Sequence, residues 1–245
     1  MGRSIFGTSM MGRDAFYSFL SREGLKLKRP KPRHTTNSNH RYHKWKNLIK
    51  GYVPTGPNLL WVSDITYIQL ANGKCCYLHL VTDAYSHKVV GWCLSDTLEA
   101  RYTLEALTMA VKEAEASDLS KLIHHSDRGV QYCCNTYVEA LQSLGIRISM
   151  TEDYKPTDNG IAERINGIIK TEKLYRQSPY INVEEARRNI GSFIDFYNDK
   201  RPHMSIGYQT PNEAHQQSGP QKKKWKGWAP SATAVPSSTV VINCL

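Results

Sequence analysis

The sequence predicts an α/β domain in which helices flank a mixed five-stranded sheet, with a basic N-terminal helical arm ahead of it. Two apolar runs, LLWVSDITYIQL and CCYLHLVTDAYS, are separated by Asn72-Gly73, a dipeptide typical of tight hairpin turns. A third run, KVVGWCLS, follows at once, and the later apolar segments alternate with helical patterns. This order predicts three antiparallel strands followed by alternating helices and strands.

The elements after the third strand are predicted from their hydrophobic periodicity. They are a helix at residues 98–116, a short strand at KLIHH, a helix at 135–144, a strand at 146–150, a long helix at about 159–176 and a helix at 183–198. Asp158 and Asn159 are expected to cap the long helix. Pro202 and Pro211 exclude a continuous helix after the last one. The order βββαβαβα resembles the ribonuclease H architecture.

Charge divides the chain into three segments. Residues 1–53 hold 12 Lys and Arg against 2 acidic residues, residues 54–217 hold 16 against 20, and residues 218–245 hold 4 against none. We therefore expect a basic N-terminal helical and linker segment, a catalytic core and a basic, disordered tail. The alternative is that the basic ends are ordinary solvated surface.

The N-terminal segment combines a short amphipathic helix within residues 12–28, which is predicted to stop at Gly24, with a Pro-interrupted basic stretch. That stretch contains Tyr42, Trp45 and Tyr52 among its cations, a mixture that suits a linker lying along phosphates. We expect it to be part of a DNA-binding region, with Lys44 and Lys46 as candidate DNA contacts.

Composition excludes several other classes of protein. Six cysteines form no CxxC pair, so neither a zinc site nor a disulfide framework is indicated. The chain has no apolar stretch of 18 residues and no signal-peptide pattern at its N-terminus. We expect an intracellular, cytoplasmic protein that has no membrane partner.

Three acidic residues occupy positions that folding alone would not favour. Asp64 interrupts the first apolar run, Asp127 ends LIHHSD, and Glu163 follows DNGIA, with 62 and then 35 residues between them. In the predicted topology these segments meet at one edge of the sheet, where three carboxylates would repel one another unless a divalent cation lay between them. Mg²⁺ prefers such oxygen ligands. The spacing therefore predicts a metal site for phosphodiester chemistry, with two ions.

Four sequence blocks carry a specific resemblance over about residues 55–217. WVSDITYI, HHSDRGVQY, DNGIAERINGIIKTEKL and FYNDKRPHMSIGYQTP resemble the catalytic region of transposases from bacterial insertion sequences of family three, which share the DDE motif with retroviral integrases. The resemblance implies a ribonuclease H-like core that nicks DNA at the element's ends and joins the freed 3′-hydroxyl to target DNA, using Mg²⁺ or Mn²⁺. It implies Asp64, Asp127 and Glu163 as the catalytic, metal-binding residues.

The resemblance also implies partners. We expect element-end and target DNA, a homo-oligomer, and a helix-turn-helix protein from an upstream reading frame, all at the nucleoid of a bacterial cytoplasm. Lys170 lies seven residues after Glu163 on the same helix face, with Asn166 between them. In similar proteins a basic residue at this place contacts DNA, and we assign Asn166, Lys170 and Lys173 as DNA contacts. The alternative for this face is plain solvent exposure.

Other polar residues receive structural assignments. Asp83 is expected to bond the backbone of its turn and not a metal. His124 and His125 are expected to be packed or hydrogen-bonded, and Arg201, Pro202 and His203 receive no chemical role. Two rival functions stay open: a nuclease of the ribonuclease H or junction-resolving type, and a non-catalytic DNA-binding regulator.

Overall fold

One mixed sheet of five strands lies at the centre of the molecule. The computed structural model describes residues 12–25, 39–114, 118–152 and 159–220. In chain order the elements are α1 (Arg13–Arg22), β1 (Leu60–Gln69), β2 (Cys75–Asp83), β3 (Val89–Ser95), α2 (Ala100–Glu113), β4 (Ile123–Ser126), α3 (Val130–Cys133), α4 (Asn135–Ser143), β5 (Arg147–Met150), α5 (Gly160–Ile168), α6 (Val183–Asp199) and α7 (Pro211–His215). The strand order is β3-β2-β1-β4-β5, which places β1 at the centre.

Strand directions follow the prediction. β1 pairs antiparallel with β2, and β2 with β3, whereas β4 is parallel to both β1 and β5. The turn between β1 and β2 is the expected Asn72-Gly73 hairpin: Gly73 has φ +79°, and the Asn72 carboxamide accepts a hydrogen bond from the Lys74 amide at 3.0 Å. The predicted ribonuclease H-like fold class is therefore confirmed.

The first helical layer covers one face of the sheet. Its core joins Trp61 and Val81 of the sheet to Leu107 of α2 and Leu141 of α4. α2 lies very close to β3 at Gly91, where an added Cβ would be 2.1 Å from the Ala106 carbonyl oxygen. Glycine is thus required where this helix crosses the strand.

The second helical layer covers the other face. Ile165 and Ile168 of α5, with Ile190 of α6, pack against Leu78 in a second buried cluster. The isoleucines of this region face the core: Ile165, Ile168 and Ile169 are buried, and Ile161 is partly buried. Both faces of the sheet are covered, so charged groups reach solvent mainly at its edges and strand ends.

The long helix predicted at 159–176 is not one regular helix. α5 ends at Ile168 and continues as a π-helical turn, Ile169–Lys173, and a 3₁₀ turn, Leu174–Arg176. Asn159 is the N-cap residue but makes no capping bond with its side chain. Its carboxamide is engaged elsewhere, whereas Asp158 lies outside the described residues.

Two short helices were not predicted from sequence. α3 has four residues, too few for any periodicity. α7 begins at Pro211 with a capping box, in which the Thr210 hydroxyl accepts from the Glu213 amide and the Glu213 carboxylate accepts from the Thr210 amide. Pro211 therefore starts a helix where we had expected only an interruption.

Residues 39–53 lie along β5, the edge strand. The Leu48 amide donates to the Ser149 hydroxyl at 2.9 Å, and the Lys50 ammonium is 2.5 Å from the Glu152 carboxylate. From the sequence we assigned residues 39–53 to the basic N-terminal arm, which ends at residue 53. That domain boundary stays a prediction. The first predicted helix stops before Gly24 as expected, since α1 ends at Arg22 and Gly24 has φ +68°. Most of the tail, residues 221–245, lies outside the described residues. No helix in the described ranges is long and apolar enough to cross a membrane.

Candidate active site

Asp64 lies in β1, and Asp127 directly follows β4, the neighbouring parallel strand. Val62 of β1 pairs with His125 of β4, and Asp64 and Asp127 each lie two residues further along the chain. Neighbouring strands are about 4.8 Å apart, so the two carboxylates share one small region where β4 ends. The sequence thus interrupts one buried apolar strand with an acid and ends the strand beside it with another.

Asp64 is held in an environment that disfavours its charge. Its pKa is raised to about 7, first by burial and next by the negative charge of Asp127. Hydrogen bonds from the Ile65 amide, at 2.9 Å, and the Asn166 carboxamide, at 2.6 Å, act in the opposite direction, as does the charge of Lys170. Asp64 therefore needs a cation to be fully ionised at neutral pH.

Asp127 is fixed by the loop that follows β4. Its Oδ1 accepts a hydrogen bond from the Gly129 amide at 2.9 Å. A Cβ at residue 129 would lie 3.0 Å from that same oxygen, so a side chain there would crowd the carboxylate. The glycine in HHSDRGVQY thus lets the backbone approach Asp127 closely.

One face of α5 is attached to β1 beside Asp64. The Asn159 carboxamide donates to the Ser63 carbonyl oxygen at 3.0 Å, and the Asn166 carboxamide donates to Asp64. Residues 159, 163, 166 and 170 recur at helical spacing and share this face. Glu163 stands between the two attachment points.

Glu163 itself is exposed, in the first turn of α5. Partial desolvation raises its pKa above the usual range. In the part of the chain that the structure describes, no three His, Cys, Asp or Glu side chains form a group that could hold a metal ion. The structure thus brings Asp64 and Asp127 together but does not bring Glu163 into a three-residue group with them. Like charges repel, so separation is the arrangement that electrostatics favours without a cation.

Uncharged oxygen atoms near Asp64 are also unsatisfied. Among the described residues, the Asn166 Oδ1, the Asn159 Oδ1 and the Tyr132 hydroxyl are buried and have no hydrogen-bond partner. Carboxylate, amide and hydroxyl oxygens are the donors that Mg²⁺ takes, directly or through its waters. The donor set therefore fits a hard divalent cation.

Tyr132 is a residue of this region that sequence reasoning missed. It is 2% exposed, and burial raises the pKa of its hydroxyl, with further contributions from the charges of Asp64 and Asp127. Its hydroxyl thus lies within electrostatic range of both acids. The only signal was its place five residues after Asp127, because a Tyr in an apolar segment otherwise indicates core packing.

The polar residues given structural assignments have structural contacts. Asp83 is fully buried and accepts hydrogen bonds from the Asn58, Tyr85 and Ser86 amides. His124 contacts the Ser63 hydroxyl at 2.8 Å and His125 contacts the Ser149 hydroxyl at 2.8 Å, both fully buried. Asp83 and both histidines therefore make contacts within the fold, in line with the structural assignments made from the sequence.

Comparison with known proteins identifies the family. The family described as Integrase core domain matches residues 54–156, and a second family of the same description matches residues 144–211. A protein of insertion sequence element IS986/IS6110 from Mycobacterium tuberculosis (strain CDC 1551 / Oshkosh) is 32% identical over 189 residues, which cover 76% of this chain and 68% of that protein. The chain belongs to the insertion-sequence transposases of the DDE type.

Other relatives of this transposase agree with that assignment. The transposase for insertion sequence element IS629 of Shigella sonnei is 31% identical over 74% of this chain and 59% of its own length. The HTLV-2 integrase catalytic core domain, solved in complex with magnesium in a trimeric form, superposes with a TM-score of 0.52 at 21% identity, over 66% of this chain and 99% of that one. The structural likeness shows the shared fold.

The candidate DNA contacts of this transposase fall into two places. Lys170 is partly buried on the α5 side of the site, where burial lowers its pKa and the charge of Asp64 raises it. Lys173 lies three residues on, and its ammonium donates to the Asn189 carboxamide of α6 at 3.3 Å. Lys170 thus lies within electrostatic range of Asp64, whereas Lys173 has a partner within the fold.

Lys44 and Lys46 lie far along the chain from this face, on a groove beside β5. The groove has a volume of about 530 Å³. Its lining residues are His43, Lys44, Trp45, Lys46, Leu48, Gln142, Ile146, Arg147 and Ile148. Lys44, Lys46 and Arg147 are exposed, so three cations surround an aromatic and aliphatic floor.

Proposed function

We propose that this transposase cleaves the phosphodiester bonds at the ends of an insertion sequence and joins the freed 3′-hydroxyl to target DNA. The observation that carries the proposal is the pair of neighbouring acids, one in β1 and one directly after β4, with Asp64 kept only partly ionised near neutral pH. Such a pair is costly to the fold, because each buried charge carries a desolvation penalty.

We infer that Asp64, Asp127 and Glu163 hold Mg²⁺ or Mn²⁺, as two ions. When bound, the ions would neutralise charge on the phosphate oxygens and activate the attacking hydroxyl. The HTLV-2 integrase core solved with magnesium supports this choice of metal. Glu163 would complete the site by a small adjustment of its exposed side chain, since α5 is already anchored on both sides of it.

The protein's own residues would mainly orient and neutralise. Asn166 holds one oxygen of Asp64 with a 2.6 Å hydrogen bond, and the Gly129 amide holds one oxygen of Asp127. Lys170 favours the ionised form of Asp64 and would meet a DNA phosphate that enters the site. Phosphoryl transfer requires positioning and charge neutralisation, so no protein nucleophile is needed.

The groove beside β5 offers a second place for DNA. Lys44, Lys46 and Arg147 could contact phosphates, and Trp45 supplies aromatic surface at the floor. Replacing Lys44 or Lys46 with Ala should each reduce the slope of log Kd against log salt by about 0.9, the value for one phosphate contact. Lys112→Ala, an exposed lysine on α2, is the control, and an unchanged slope for both groove variants would remove DNA from this groove.

Partners and location follow from the proposed reaction. Two DNA ends must be handled together, so we propose a homo-oligomer, in line with the trimeric form of the HTLV-2 core. A helix-turn-helix protein from an upstream frame would contribute recognition of the ends. The substrate places the protein at the nucleoid of a bacterial cytoplasm.

A strand-transfer assay with pre-cut element ends tests the proposal. We expect joined products in Mg²⁺ or Mn²⁺ for the wild type, and losses of at least about 100-fold for Asp64→Asn, Asp127→Asn and Glu163→Gln with DNA affinity nearly kept. Glu139→Gln, an exposed acid on α4, should leave joining unchanged. Nicks without joined products would favour a nuclease, and DNA binding without either product would favour a regulator.

A further inference from the structure

Arg201 makes the most specific charged contact outside the acidic site. Its guanidinium donates to both oxygens of the Glu172 carboxylate, from Nε at 2.7 Å and from Nη2 at 2.5 Å. The side chains of Arg201 and Glu172 are only 20% and 33% exposed. A bidentate pair of this kind fixes both distance and orientation, which a single ion pair does not.

Arg201 is itself held from its other side. Its Nη1 is 3.1 Å from the Nε2 of His203, whose pKa is lowered to about 3 by burial and by the charge of Arg201. A neutral His203 can accept that hydrogen bond. The His203 ring packs edge-on against Tyr197 of α6, with centroids 4.9 Å apart. The guanidinium is therefore pre-oriented before it meets Glu172.

Glu172 lies in the π-helical turn that follows α5, two residues after Lys170. A π turn is rare and is retained mainly where something outside the helix supports it, often at functional sites. Two contacts hold this turn: the Arg201–Glu172 pair, from the segment just after α6, and the contact of Lys173 with Asn189 inside α6. Lys170, which lies within electrostatic range of Asp64, is carried on the same turn.

We propose that Arg201 is a positioning residue for this site: through Glu172 it fixes the π turn and thereby the place of Lys170 beside Asp64. The proposal rests on the function proposed above, in which Lys170 meets a DNA phosphate. It also gives a role to Arg201 and His203 of the FYNDKRPHMSIGYQTP block, for which the sequence had indicated none. In this proposal the bidentate Arg201–Glu172 bridge holds Lys170 at one position relative to Asp64.

A double-mutant cycle between Arg201 and Lys170 tests the proposal, with the salt dependence of DNA binding as the readout. Lys170→Ala should make the slope of log Kd against log salt shallower by about 0.9, the value for one phosphate. Arg201→Lys, which keeps the charge but loses the bidentate geometry, should reduce the slope similarly, as should Glu172→Gln. In the Lys170→Ala background, neither should reduce it further.

Controls keep the outcome interpretable. Glu99→Gln breaks an exposed ion pair with Arg101 that has no connection to the site, and it should leave the slope unchanged. Thermal unfolding of every variant identifies any loss of fold, and the milder Glu172→Gln serves if Arg201→Lys unfolds. Additive slope changes in the double variants, or no change in the single ones, would overturn the proposal.

The same experiment separates this proposal from the function on which it rests. Binding and its salt slope are measured without metal and without joining. If the wild type binds DNA but gives no joined product, the proposed function fails while the cycle still reports on Arg201. If joining occurs and the cycle is additive, only the role of Arg201 fails.

Discussion

At the residue scale, the fold disfavours the ionised form of Asp64. Its pKa is near 3.9 in an unfolded chain and about 7 in the folded protein, so between those values the folded state binds more protons. Stability of the metal-free protein therefore falls as pH rises from 4 to 7. This penalty is what a bound cation would remove.

Asp64→Asn should accordingly stabilise the metal-free protein at high pH only. We expect a gain on the order of 1–3 kcal/mol at pH 8, seen as a rise in Tm of roughly 2–10 °C in EDTA, and almost none at pH 4. Adding Mg²⁺ at pH 8 should raise the Tm of the wild type and not that of the variant. An equal effect of Asp64→Asn at both pH values, or a stabilising effect of the exposed Asp96→Asn control, would contradict this reading.

Asn166 orients Asp64 and should influence the metal without being required for the fold. Asn166→Ala removes the 2.6 Å hydrogen bond that favours the ionised carboxylate. We expect Mn²⁺ affinity, measured by calorimetry at pH 7.5, to fall about 10-fold, as is usual for a lost supporting hydrogen bond at a metal ligand. Asn135→Ala, at an exposed position of α4, should leave the affinity unchanged, and equal affinities for all three proteins would exclude the orienting role.

Residues were predictable from sequence where their chemistry conflicts with their surroundings. Asp64 interrupts an apolar strand and Asp127 ends one, so an acidic residue at either position already indicated a functional site. Tyr132 and Asn159 did not stand out, because a Tyr in an apolar segment looks like core and an Asn before a helix looks like a cap. Their roles depend on contacts with β1 and with the acidic pair that only the fold brings about.

At the element scale, strands and helices with strong periodicity agree with the prediction within a few residues. The long helix predicted at 159–176 differs from the structure, which has a π turn within it. Arg201, from the segment after α6, contacts this turn through Glu172, and such a distant contact leaves no pattern in the local sequence. The short α3 and α7 were missed, since four or five residues show no period. The β1–β2 hairpin was predictable because Asn-Gly determines the turn locally.

The contact between α2 and β3 should be the least tolerant of any added atom. Gly91→Ala would place a Cβ 2.1 Å from the Ala106 carbonyl oxygen, so the helix must move away. We expect a loss of at least about 2 kcal/mol in the free energy of unfolding, measured by urea denaturation. Gly167→Ala is the matched control: its Cβ would meet nothing within 4 Å, and it should be neutral or stabilising. Equal costs at the two positions would disprove the close approach.

At the scale of the whole molecule, charge and packing divide the chain differently. The sequence placed a boundary at residue 53, where the basic excess ends. The structure attaches residues 39–53 to β5 and to the loop after Asp127, through His40 and the Arg128 carbonyl oxygen at 2.8 Å. Composition could not show this, because a basic segment can bind its own fold through backbone groups and a few apolar side chains.

A pair of truncations distinguishes the two divisions. Removing residues 1–38 should leave the Tm of the core nearly unchanged, whereas removing residues 1–53 should lower it by roughly 5–10 °C, because the bonds to Ser149 and Glu152 and the packing of Trp45 are lost. Thermal unfolding followed by circular dichroism measures both. Equal Tm values for the two truncations would mean that the segment at β5 contributes nothing to the core.

The proposed active site is one metal site to which three separated segments of the chain each contribute a carboxylate. A crystal soaked in Mn²⁺ and measured at the manganese absorption edge tests this directly. The predicted result is anomalous density between the carboxylates of Asp64 and Asp127, with the Glu163 carboxylate drawn into contact with it. Density elsewhere, or none at these residues under saturating Mn²⁺, would contradict the assignment of the active site.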